Sequence, residues 1–204
     1  MPSQPKNITI LTRALRKLLG TQGGWIIVNG RPRIDDQSIT VPTDQQIDEE
    51  YAKQETIWKK EQLRLSLYRH IHSAYPLHEH TRDFQKHGLY QSFLGEAEFS
   101  AAETVRSALG TNKHLVENIG KTVNLDSAAT TAVGSIAPEK LSKFPGKNKT
   151  ERTKNAKKMM KKIIEVNWKN AWIEACHVAL DEAIENDRTQ ATFPPFPDAL
   201  KKSE

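Results

Sequence analysis

Cysteine is almost missing from this 204-residue chain: Cys176 stands alone, so no disulfide can form within it, and a reducing compartment suits it. Long apolar runs are missing as well. No stretch approaches the roughly 18 to 20 residues that a membrane span needs, and the opening MPSQPKNIT lacks the apolar centre of a signal peptide. The expected setting is therefore the cytoplasm, with no membrane partner. No Gly-Lys-Ser/Thr follows a strand-like stretch, which excludes a Walker-type phosphate loop. Asp126-Ser127 does not continue into the Asp-x-Ser-x-Ser string of a metal-dependent adhesion site, because Ala128 and Thr130 break it. Cys176 precedes His177 on a helical pattern where adjacent side chains point apart, so a small buried thiol is a better account than a nucleophile with its base. No internal repeat is present, and no cofactor is implied.

What is there points to a packed protein. Hydrophobic residues make up 37% and charged residues 27%, with a formal net charge of +5, a balance typical of globular chains of a length that can build one good core. The expected fold is mainly α, a helical bundle with a small N-terminal β-hairpin over about residues 24–42. Ile8 to Leu19 reads as a short amphipathic helix closed by Gly20. Trp25 to Val28 is β-rich and Asn29-Gly30 is a strong turn signal; Ser38 to Val41 is the expected return strand across Arg31, Pro32 and Arg33. Thr43 and Gln46 form a capping-box start for a long helix reaching about His72. Ala74 to Asp83 reads as a loop centred on Pro76.

The best helical stripe lies in residues 89–119, where Leu89, Phe93, Ala97, Ala101, Val105 and Leu109 recur at three- and four-residue steps. It predicts a core helix, with Gly110 and Asn112 as a stop and restart and Lys113 to Val123 continuing. Asp126 to Ala137 is rich in small and hydroxyl residues and reads as weakly structured. The expected domain spans 1–142. Lys143-Phe144-Pro145-Gly146-Lys147 begins a linker or exposed loop over 143–150, and a long amphipathic helix over 151–187 packs on the domain. The Pro-rich tail, 188–204, contains Phe193-Pro194-Pro195-Phe196-Pro197 and is expected to be extended or disordered.

The last helix has an unusual charge order. Lysines crowd its N-terminal half and acids its C-terminal half, which opposes the helix macrodipole at a cost of a few tenths of a kcal/mol per terminal charge, about 0.3 or more. That order suits a surface meeting a partner of opposite sign, and the candidate partner-binding residues are Lys154, Lys157, Lys158, Lys161, Lys162, Asp181 and Glu185. The same basic segment, 143–162, with Phe144 beside it, is the alternative reading: a nucleic-acid-associated protein holding phosphates in a salt-dependent way. His72, His78 and His80 are weak candidates for a metal site, since imidazole is a common transition-metal ligand. His70 and His72, two apart, point about 200° apart on a helix and cannot chelate together there.

A short helix, a hairpin with a Pro-containing exit, a long helix ending in Leu65 to His72, Leu77-His78 in the following segment, and Phe99 to Gly110 together resemble the N-terminal part of the CobT subunit of aerobic cobaltochelatase and its phage-encoded relatives. Ile27 to Arg31 with Pro32, and Ile39 to Pro42, belong to the same pattern, which covers roughly residues 8–123. Glu103-Thr104-Val105-Arg106 stands about one residue out of step, and Ser107 replaces an acidic residue. The 204 residues contain neither the family's long acidic linker nor its von Willebrand A domain, so metal binding of that type does not carry over. The resemblance implies a non-catalytic subunit that works with an AAA+ ATPase and a chelatase-type large subunit in cobalt insertion, within cobalamin biosynthesis or a related remodelling task. No oligomeric state is read from the sequence.

Overall fold

The computed structural model describes residues 6–21, 24–29, 31–35, 38–95 and 124–201. It is mainly α-helical, with one two-stranded antiparallel hairpin near the N-terminus, as the sequence predicts. The chain divides into two compact units, Met1–Leu65 and Ser66–Glu204.

In the first unit, α1 (Ile8–Leu19) starts where the Asn7 side chain accepts from the Thr9 and Ile10 amides, and stops at Gly20, whose φ of 83° suits glycine. Strands β1 (Trp25–Val28) and β2 (Arg31–Ile34) pair Val28 with Arg31, so the connection between them is two residues long and begins at Asn29. Asn29, at φ 51°, takes the left-handed conformation that a two-residue turn demands. The return strand is thus Arg31–Ile34 rather than Ser38 to Val41. Pro32 is tolerated because a two-stranded sheet consists of edges. Trp25 and Ile27 turn inward onto a cluster with Leu11, Leu15 and Ile47, while Ile26 and Val28 face out. Helix α2 (Asp44–Ala74) begins with the expected capping box: the Gln46 amide donates to Thr43 Oγ1 at 3.2 Å, and the Thr43 amide to Gln46 Oε1 at 2.9 Å.

The second unit is built on one helix. After α2, Pro76 does not open a loop; α3 (Leu77–Leu94) starts at once, with Pro76 at its N-cap. Proline forbids only helix interiors, and a chain may turn and restart at that residue. Helix α3 ends at Gly95, φ 80°, so the helix expected over 89–119 does not run through from Leu89. Leu89 and Phe93 are exposed, not core, and Ala97, Ala101, Val105 and Leu109 lie outside the described residues. The small-residue stretch read as weakly structured is helix α4 (Leu125–Gly134), capped by Asn124. Ala128, Ala129 and Ala132 lie fully buried in one cluster with Ala156, Met160 and Ile163. Such small side chains permit close helix approach, which compensates for their weak hydrophobic signal.

After the short α5 (Pro138–Leu141), the expected linker instead sends Phe144 into the core, edge-on to Phe93 at a centroid distance of 5.2 Å. Pro145 and Gly146 then fold back over the start of α6 (Lys149–Glu185). The Pro145 carbonyl accepts from Asn155, the Gly146 carbonyl from Arg152, and Asn148 caps the Glu151 amide at 2.9 Å. From Ile163 to Trp172 α6 is enclosed on nearly every side. The tail is extended, as its prolines require, but it is not loose: residues 190–197 lie along the unit and end in a 3₁₀ turn (Asp198–Leu200) that buries Leu200.

Candidate functional site

The residues singled out by sequence fall into three places that the fold keeps apart. On α6, Lys154, Lys157, Lys158 and Lys161 occupy one side, within about 100° of one another on a 3.6-residue helix, opposite the buried Ala156, Met160 and Ile163. Two of the five candidate lysines are engaged internally. Lys161 Nζ lies 3.2 Å from Asp126 Oδ1 on α4, and Lys162 Nζ lies 2.7 Å from Glu165 Oε2. Among the described residues Lys154, Lys157 and Lys158 have no carboxylate partner; Lys154 and Lys158 are exposed and Lys157 is half-buried. Asp181 and Glu185 are also exposed, but they lie 23 to 31 residues further along the helix than these three lysines, about 35 to 47 Å at 1.5 Å per residue. Basic and acidic ends therefore form two surfaces, not one.

Phe144 does not accompany the lysines. With its side chain buried, no aromatic platform for a base stands beside the basic face at that position.

His72 packs on Tyr68 with ring centroids 4.2 Å apart, and its Nδ1 is buried without a hydrogen-bond partner among the described residues. His78 is exposed in the first turn of α3, and His80 lies 5.3 Å from the Tyr75 ring. Among the described residues no group of three or more His, Cys, Asp or Glu side chains is placed to hold a metal ion. Cys176 is buried, and burial pushes its thiol up to about 12, far from a reactive thiolate.

One polar constellation was not singled out by the sequence reading. Lys169, in the middle of α6 and 3% exposed, places Nζ 2.9 Å from Asp83 Oδ2 on α3 and 2.9 Å from Glu165 Oε1 one turn earlier. The Tyr75 hydroxyl donates to the same Asp83 oxygen at 2.9 Å, and the lysine ammonium sits 4.7 Å from the Tyr75 ring centroid. Burial raises the Asp83 and Glu165 carboxyls, but the ammonium groups beside them outweigh it and hold both below the usual range. Burial likewise works against the Lys169 charge, and the two carboxylates overcome it and raise its pKa. Burial, then the hydrogen bond to Asp83, pushes Tyr75 well above its ordinary value. The cluster is thus fixed in one ionisation state near neutrality and ties α3 to α6. Its signal in the sequence is that Glu165 and Lys169, an i,i+4 pair of opposite charge, interrupt the apolar run from Ile163 to Trp172.

Compared with known protein families, with curated proteins and with solved structures, the chain finds no match.

Proposed function

We propose that this chain is a non-catalytic docking subunit whose exposed lysine face on the N-terminal half of α6 engages an acidic protein surface. The observation that carries this reading is the contrast within one helix: Lys161, Lys162 and Lys169 have carboxylate partners on this chain, whereas Lys154, Lys157 and Lys158 have none among the described residues, Lys154 and Lys158 being exposed. Three unpaired cations on rigid, well-capped helix turns present a preorganised basic patch, which steers and orients a partner of opposite charge. The resemblance to CobT-type subunits names the kind of partner: an AAA+ ATPase, with a chelatase-type large subunit completing the assembly. The stretches Leu65 to His72 and Leu77-His78, which carry part of that resemblance, lie on α2 and at the start of α3.

The test is capture of partners from the lysate of the source cell with and without nuclease. An AAA+ ATPase retained after nuclease supports the docking reading. Partners that vanish with nuclease, together with affinity that falls steeply as salt rises, would assign the same lysines to phosphates instead.

A further inference from the structure

The Phe193–Pro197 segment makes contacts of a kind that a peptide makes with its receptor. The Pro194 carbonyl accepts two hydrogen bonds, from Trp172 Nε1 and from His70 Nε2, each at 3.0 Å. Phe193 lies 5.2 Å from the His70 ring, and Phe196 meets Trp172 edge-on at 4.8 Å and Tyr75 at 6.5 Å. Prolines hold such a segment near the polyproline conformation, with three residues per turn. Phe193 and Phe196 therefore project on one side, and both meet aromatic rings of α2, Tyr75 and α6. The recognition chemistry is that of aromatic-lined proline-binding grooves, in which a preformed extended ligand is gripped by ring stacking and by a donor to a proline carbonyl. The connection back to α6 is short and exposed: residues 186–190 bury nothing, and Asp187 turns at φ 48°.

We propose that the face formed by His70, Tyr75 and Trp172 is a receptor site for a proline-rich Phe-Pro-x-Phe-Pro segment of a partner protein, and that the chain's own Phe193–Pro197 occupies it as an intramolecular blocker. An incoming segment competes with a tethered one whose effective concentration is of millimolar order, about 1 mM for a short flexible connection. The site is therefore closed to weak ligands and opens to a stronger one or to loss of the tether's grip. The inference is independent of the lysine face, which lies on the other half of α6.

The experiment uses the full chain and a fluorescently labelled peptide of residues 190–200. Phe196→Asp weakens the internal segment; with far-UV circular dichroism unchanged, this variant is expected to bind the peptide at least tenfold more tightly than the parent. His70→Ala added to it should abolish the gain, as should replacing both phenylalanines of the peptide by alanine. Equal binding by parent and variant, or binding that ignores the peptide's phenylalanines, would overturn the proposal. A second measurement needs no variant: excess peptide should speed amide exchange at Leu200 and Lys201 of the parent chain, whose amides bond within the 3₁₀ turn, and unchanged exchange would contradict it. Dimerisation by mutual exchange of the segment, irreversible by peptide, would also contradict it, since the occupant would then be a second copy.

Discussion

Lys158 and Lys169 sit on the same side of one helix, eleven residues apart and so within about 20° of each other, yet they have opposite fates. Lys158 is exposed near the beginning of α6, whereas Lys169 is enclosed by α3, Tyr75 and Glu165. The helix alone makes no distinction between them. What differs is what lies over it: toward the N-terminus that side is open to solvent, and further along Trp172, Cys176, Leu180 and Ala183 share it and are buried. A charge in the open half costs nothing to hydrate and remains available to a partner. In the covered half the same ammonium must be matched by carboxylates, and it becomes part of the frame.

The largest effect is expected from breaking the covered lysine. Lys169→Met keeps an unbranched side chain, one atom shorter, but leaves Asp83 and Glu165 buried without their cation, and should cost about 3 to 5 kcal/mol, read as a lower midpoint in urea. The pH dependence sharpens this. Asp83 and Glu165 have folded values below their ordinary 3.8 and 4.5, so their contribution is complete above those values and is lost as pH falls through the folded ones. Lys169, raised above 10.5, contributes fully below that value and loses its contribution as pH rises through the folded one. The gap between parent and Lys169→Met should therefore be wide near pH 7 and close toward strongly acidic pH; a gap of constant width would break the assignment.

Effects of intermediate size are expected ahead of both lysines, at the start of α6, where Gly146 holds φ 150° and an added Cβ would lie 2.7 Å from the Arg152 nitrogen. Gly146→Ala should lose about 1 to 3 kcal/mol. Asn148→Ala, which removes the cap on Glu151, should lose about 1 kcal/mol, measured by the same denaturation. The smallest effect on stability belongs to the open lysines. Lys154→Glu, Lys157→Glu and Lys158→Glu together should shift unfolding by no more than about 0.5 kcal/mol per site, while removing docking.

The contrast between the two lysines also marks how far the sequence is legible. Local signals are legible: the Thr43–Gln46 box starts α2, Gly20 closes α1, and the hairpin turns at Asn29. Signals whose meaning depends on tertiary cover are not. Arg31-Pro32-Arg33 resembles a loop until it is paired with Val28 to Ile26. The alanines of α4 carry little hydrophobic signal, yet they are buried against α6. Phe144 and Leu200 lie beside breakers and charges, so nothing local announces that each is buried. In the candidate site the lysines were identified, but which of them the fold neutralises depends on Asp126 and Asp83, 35 and 86 residues away in sequence.

The most direct test of the docking account is to compare partner capture by the parent chain with capture by the Lys154→Glu, Lys157→Glu, Lys158→Glu variant, at equal loading and after nuclease. The account predicts that the AAA+ ATPase is recovered with the parent and lost with the variant, both chains unfolding at nearly the same urea concentration. Undiminished recovery by the folded variant would contradict it.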